Sequence, residues 1–295
     1  MTSMGKHSLT SSKKRVSDKV LYFLIYFCAA FTVLLLVGII AYVVVHGIGK
    51  VNWSFLTTVT SVLKGTVGIA GNIVNTLMIV IITMLIATPI GVGSAIYLNE
   101  YAKPGKLVNL IEYATETLSG IPSIIFGLFG MMFFGETLHL GYSILTGALT
   151  MFLMVLPLVT RNTQEALKTV PDSYRHGAVG LGAGKWYTIR TILLPSAMPG
   201  IITGVILAIG RIVRESAALL FTAGSAKALP KTLAGIFPKI FQSGGTLTTQ
   251  LYLSATSEGD FGTAFGIAVV LLIIVFLINM GTKLLARKFD VTRKK

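Results

Sequence analysis

The chain has 295 residues, of which 53% are hydrophobic and 12% charged, and it carries a formal net charge of +14. A soluble domain holds about a quarter charged residues, so this composition excludes an ordinary water-soluble fold. The basic excess gathers in a few segments between apolar runs, which argues against nucleic-acid binding and for contact with anionic membrane lipid.

Residues 1–19 are polar and basic and predict a cytoplasmic tail. Residues 20–46 follow as a first transmembrane helix. This run is too long for the core of a cleavable signal and ends without a small-residue cleavage site. The single Cys28 lies inside it and is read as a small buried apolar residue; one cysteine excludes a disulfide within the chain. An external segment is expected over 47–71, with Trp53 and Phe55 suited to the interface. The uncharged run 65–99 supplies a second span, closed by the breaker Pro104-Gly105. A third run, 117–135, contains Ser119, Gly120, Ile121, Pro122 and Ser123, where small residues and a proline allow close approach and a kink. The fourth span is expected over 137–160 and the fifth from about 199 to 222. Lys alternates with apolar residues over 227–241, which predicts a helix or broken helix along the outer surface. A sixth span, 261–282, leads to a basic cytoplasmic tail at 284–295.

Each run offers roughly the 20 apolar residues that cross about 30 Å of hydrocarbon as a helix. Barrel strands would read as short alternating segments instead, so an all-α polytopic membrane protein with six transmembrane helices is expected. Residues 72–283 form a five-helix bundle in this reading, with an extra helix in front. With the amino terminus inside, inner segments hold 18 Lys and Arg and outer segments five. That asymmetry places both termini in the cytoplasm.

Between the fourth and fifth spans lies a basic segment, 171–190, punctuated by glycines. Its composition predicts two short surface helices hinged at Gly182 and Gly184. Pro171 or Asp172 opens the first, and the acidic Asp172 suits the positive end of a helix. Tyr174, Val179 and Leu181 give it an apolar surface, Trp186, Tyr187 and Ile189 begin a second short run, and Leu194-Pro195 marks the entry into hydrocarbon. Such a module fits a groove of a soluble partner, or else rests on lipid headgroups.

The fifth run carries Arg211, Arg214 and Glu215. A helix starting near Pro199 would place Arg211 about 18 Å along, close to mid-membrane, where charge is costly and usually functional. Arg211 and Glu215 are four apart and would share a helix face. A guanidinium suits an oxyanion such as phosphate. The alternative is a buried ion pair that orients helices or joins subunits, and Arg214 serves either role.

The loop resembles the coupling loop of type I ABC importer permeases. That pattern reads EAA, three residues, Gly, nine residues, Ile, one residue, Leu-Pro. His176-Gly177-Ala178, Gly182, Ile192 and Leu194-Pro195 stand at the matching spacing, with His176 in place of the acidic residue. Arg211, Glu215 and Ser216 also resemble the Arg-x-x-Gly-Glu-Thr run of phosphate importer permeases, with Arg214 in place of the Gly. The stretches at 89–93, 96–102, 119–127 and 217–223 are similar to PstA-type subunits. The resemblance implies a MetI-like bundle in a bacterial-type plasma membrane, forming half of a phosphate pathway. It implies as partners a second, PstC-type permease, a cytoplasmic ATPase dimer gripped through 171–190, and an extracytoplasmic phosphate-binding protein. It also implies that His176, Gly177, Ala178, Gly182, Trp186, Ile192, Leu194 and Pro195 serve ATPase coupling, and that Arg211, Arg214, Glu215 and Ser216 line the pathway.

No other chemistry has comparable support. The run 180–186 lacks the spacing and the Ser or Thr of a phosphate-binding loop, so ATP must be hydrolysed by another chain. Scattered histidines and one cysteine form no metal cluster, and no cofactor is expected. Glu165-Ala166 lacks the downstream spacing of the coupling pattern. Glu112 and Glu116, one turn apart, read as a solvated or inter-subunit face rather than a proton relay. Two rival readings remain open: a permease for another oxyanion, such as molybdate or sulfate, and a stand-alone secondary carrier.

Overall fold

The computed structural model describes residues 16–61, 65–103, 105–230 and 235–289. The tail residues 1–15 and 290–295, Lys64, Pro104 of the inner turn, and 231–234 of the outer segment lie outside the described residues. The chain divides into two compact units, one up to His46 and one from Gly47 onward.

The first unit is the helix α1 (Val16–Gly47). Phe23, Leu24, Ile25 and Tyr26, which step round the helix, are all exposed, so its surface there is apolar on every side, as a helix immersed in lipid requires. Cys28, expected to be buried, is exposed. A single helix has no interior of its own in which to bury it.

The second unit opens with the short helix α2 (Trp53–Thr57), whose amino terminus is capped by Asn52 Oδ1 accepting from Phe55 N at 2.7 Å. A small antiparallel hairpin follows, β1 (Val59–Ser61) with β2 (Thr66–Ile69), in the register Val59↔Ile69. The all-helical expectation did not include it. β-branched residues on both strands favour the pairing locally.

Helix α3 (Ala70–Ile96) continues into a π-helical turn, Tyr97–Tyr101. Helix α6 (Ile144–Lys168) packs along it. Between them lie α4 (Lys106–Gly120) and α5 (Ser123–Gly130), the latter prolonged by a π turn to Thr137. The third span is therefore not the single kinked helix of the sequence reading. The two parts are bent by 102°. Pro122 disfavours helical backbone at Ile121, which is extended (ψ 132°).

Beyond α6 come α7 (Asp172–Gly180) and α8 (Lys185–Thr188). A π turn, Ile189–Leu193, joins α8 without interruption to α9 (Leu194–Arg214). The second short run thus belongs to a long helix, and Leu194-Pro195, the expected entry into hydrocarbon, lies within it. A proline ring crowds the carbonyl four residues back, and the widened turn before Pro195 relieves that crowding. The fifth span is broken near its far end: α9 stops at Arg214 and α10 (Ala217–Thr222) starts three residues later. The outer segment holds α11 (Ile236–Ile240) and α12 (Leu247–Thr256), and the last span is α13 (Phe261–Phe289). Among the described residues, five helices are long and apolar enough to cross a membrane, or six if the bent pair counts as one span.

The main core is formed where α3, α5, α6, α9 and α10 meet, around Ile79, Phe126, Met151, Val155, Ile212 and Leu219. Gly127 permits a close approach of α5 to α10: a Cβ there would lie 2.8 Å from Ala218 Cα. At the end of the bundle opposite the 171–190 loop, Asn72 and Asn75 donate to the Gly245 carbonyl at 3.0 and 3.2 Å. The outer-surface expectation for 227–241 holds only in part. Phe237 is exposed, but Lys239 is buried, with Nζ donating to Ser243 O at 2.8 Å. Burial pushes its ammonium below the ordinary lysine range.

Candidate functional site

The 171–190 loop is held in shape by its own backbone. Pro171 stands before the first turn of α7, and Asp172 is its acidic residue. The helix ends in a left-handed Gly182 (φ 81°). Gly182 N donates to Val179 O at 2.9 Å and Ala183 N to Ala178 O at 3.0 Å, the paired bonds of a Schellman stop. Only glycine reaches that conformation without strain, which accounts for Gly182. No such reason attaches to Gly177, where a Cβ would meet nothing within 4 Å.

This geometry presents an apolar ridge. Leu181 is 91% exposed, and Val179, Trp186 and Tyr187 are exposed beside it in sequence. His176 and Gly177 are exposed as well, and Ala178 faces inward. Of the remaining residues of the pattern, Ile192 and Leu194 are half-buried and Pro195 is exposed.

Two residues that sequence reasoning missed anchor the loop. Arg175 Nη2 lies 2.9 Å from Glu100 Oε1 in the π turn that ends α3. The same guanidinium donates to Leu167 O at 3.1 Å and Val170 O at 3.0 Å, at and just beyond the end of α6. It also meets Asp172 Oδ1 at 3.0 Å. The Glu100 hydrogen bond raises the arginine's already high pKa further, against the opposing effect of burial. Next to Glu100, the Tyr101 ring lies under Lys185 Nζ at 4.7 Å. The available signal was an acidic residue in one inner turn and one of several basic residues in the next, with no local spacing to link them.

The second site is the break in the fifth span. Counted from Leu194, Arg211 lies about 26 Å along α9, farther than the 18 Å expected, because the helix begins before Pro199. Arg211 is half-buried. Arg214 is exposed and turns back, Nε donating to Gly210 O at 2.9 Å. The helix does not continue through Glu215, which is extended (ψ 127°). Its Oε1 accepts from Ala218 N at 3.1 Å and so caps α10. Glu215 therefore points forward, and among the described residues no ion pair joins it to Arg211 or Arg214. Ser216 stands half-buried at the break and makes no side-chain cap. Arg211, half-buried, thus stands one turn before a strand-like step in the helix.

Elsewhere, Glu112 and Glu116 line a polar cavity of about 230 Å³ together with Arg161 and Lys168. Both are exposed. Among the described residues no group of His, Cys, Asp or Glu is placed to hold a metal ion.

Comparison with known proteins agrees with this architecture. Residues 87–291 match the family described as binding-protein-dependent transport system inner membrane component. The chain is 39% identical over 211 residues to a probable ABC transporter permease, YqgI of Bacillus subtilis, covering 72% of each. It is 30% identical over 266 residues to phosphate transport system permease PstA 2 of Mycobacterium bovis, covering 88% of this chain and 84% of the relative. A PstA homolog from Mycoplasma pneumoniae is 36% identical, although the chain spans only 41% of it. One similar fold is a bacterial alginate ABC transporter in complex with an alginate pentasaccharide-bound periplasmic protein. Its TM-score is 0.69 at 12% identity, covering 93% of this chain and 96% of the other. The MetNI methionine transporter, inward facing, gives 0.61 at 17% identity, covering 75% and 95%. The chain belongs to the binding-protein-dependent transport family: it is a PstA-type, MetI-like type I ABC importer permease, a multi-pass inner-membrane subunit with no ATPase role of its own.

Proposed function

We propose that this permease forms half of an ATP-driven pathway for inorganic phosphate. A second, PstC-type permease supplies the other half, a cytoplasmic ATPase dimer grips 171–190, and an extracytoplasmic phosphate-binding protein delivers the cargo. The observation that carries the phosphate reading is the half-buried Arg211 beside the break at Glu215. A guanidinium offers paired N–H donors to a tetrahedral oxyanion, and Glu215 is engaged with α10 rather than with this arginine. The names of the PstA relatives point the same way. For coupling, the support is the exposed Leu181 and Trp186 on a loop whose shape is fixed by Gly182. His176 stands exposed at the first position of the coupling pattern, where it faces the proposed ATPase.

The test is uptake of radiolabelled phosphate into ATP-loaded proteoliposomes containing the complete complex. Uptake should require ATP and the binding protein, and excess sulfate or molybdate should not displace it. Displacement by either oxyanion would overturn the phosphate assignment. Uptake by the chain alone, without ATP, would overturn the importer reading in favour of a secondary carrier.

A further inference from the structure

We propose that Glu100 and Arg175 form a latch that carries the movement of the coupling loop into α3, and through α3 to the break in the fifth span. This rests on the coupling role proposed for 171–190. By the chain itself, α7 is joined closely to α6 on one side and, through α8, to α9 on the other. The inner end of α3 is 75 residues distant from Arg175 in sequence and meets the loop through side chains. Arg175 binds Glu100 at 2.9 Å and Lys185 covers the neighbouring Tyr101.

The pair is built to transmit position. The Glu100 side chain is 9% exposed and that of Arg175 22%. A desolvated, charge-assisted bond fixes geometry more firmly than a solvated one. Asn99 Nδ2 donates to the same Glu100 oxygen at 2.7 Å. Because Arg175 also holds the Leu167 and Val170 carbonyls, one guanidinium gathers the inner ends of α3 and α6 onto α7. π turns occur at the inner end of α3, 97–101, and where α8 runs into α9, 189–193, and such turns often mark functional positions.

At its other end α3 grips the segment before α12. Asn72 and Asn75 donate to Gly245 O, and Thr76 Oγ1 accepts from Leu247 N at 3.0 Å. The next residue, Thr248, donates to Glu215 O at 2.7 Å. A displacement of α3 along its axis therefore pulls on the carbonyl at the break. The sequence of contacts is Arg175, Glu100, α3, Gly245–Thr248, Glu215.

The test uses the complete reconstituted transporter and reads phosphate taken up per ATP hydrolysed. Glu100→Gln should keep binding-protein-stimulated hydrolysis but lower that ratio about tenfold, a normal size for coupling between sites, and Arg175→Lys should lower the ratio as far. The double variant should be no worse than either single one. A Tyr101→Leu variant removes the milder contact without stranding a buried charge and should lower the ratio about twofold, equivalent to a weak cation–π contact. This variant serves as the measure if the first two do not fold. An unchanged ratio in the folded variants would overturn the latch. Loss that is additive in the double variant would overturn it too, because the two residues would then act separately. Failure of the underlying coupling role is distinguishable: it would show as wild-type loop residues that never contact the ATPase.

Discussion

Thr248 donates its hydroxyl to the backbone carbonyl of Glu215 over 2.7 Å. That carbonyl is left without a helical partner because the fifth span breaks there, so the bond stabilises the break itself. Thr248→Val keeps the shape and removes the donor. An unmet, partly buried carbonyl costs about 1–3 kcal/mol. The variant should therefore unfold at a lower temperature in detergent, and Thr248→Ser should restore most of the loss.

Arg211 and Arg214 should separate in function. Loss of a hydrogen bond to a charged group costs about 1.5–3 kcal/mol, or roughly ten- to a hundredfold in rate or affinity. Arg211→Ala should lower phosphate uptake by an amount in that range while the complex still assembles. Arg214 is exposed and bonded to its own helix, so Arg214→Ala should cost less. Equal uptake by wild type and Arg211→Ala would remove Arg211 from the pathway.

Two glycines of the coupling pattern make opposite predictions. Gly182 adopts φ 81°, where a side chain is strained by about 1–2 kcal/mol. Gly182→Leu should distort the stop of α7 and weaken stimulated ATP hydrolysis in the assembled complex. Gly177→Ala adds a Cβ with open space around it within this chain, and the stability of the isolated subunit should not change. Thermal unfolding of both variants checks the contrast.

Acid should loosen the outer end of the bundle. Burial alone would raise the Glu258 carboxyl, but hydrogen bonds from Lys227, Ser254 and Gln250, with the Lys227 charge, bring it below its ordinary value. Bonds from the Thr263 side chain and backbone lower Asp260 likewise. A lowered folded pKa contributes stability that is complete above the ordinary value, 4.5 for Glu258, and is lost as pH falls through the folded value. The melting-temperature gap between wild type and Glu258→Gln should thus be widest near neutrality and close below pH 4.5. A gap independent of pH would contradict the linkage.

Much of this was legible in the sequence because hydrocarbon imposes long apolar runs, and among the described residues these fall on five long apolar helices and on the bent pair between 106 and 137. The Schellman stop at Gly182 was legible because glycine is the residue that conformation demands. Pro122 announced a kink, yet proline restricts only the residue before it and does not set an angle of 102°. Nothing announced the break after Arg214. The run from Arg211 to Ala218 contains neither Gly nor Pro, and the interruption coincides with contacts made elsewhere: Thr248 on Glu215, and Ala218 against Gly127. The pairing of Arg175 with Glu100 was equally hidden, since residues 75 apart leave no periodic trace. Lys239 misled because alternation with apolar residues suggested a surface helix, whereas the fold turns the lysine inward and Phe237 outward.

The central claim is that a separate ATPase grips the 171–190 loop, and the most direct measurement is a crosslink from Leu181, the most exposed large hydrophobic side chain there at 91%. Leu181→Cys in a Cys28→Ser background, within the assembled transporter, should crosslink to the ATPase subunit, with a yield that changes between nucleotide-free and ATP-bound states. A cysteine at 181 that reacts only with impermeant reagent from outside the cell, and never with the ATPase, would contradict the account.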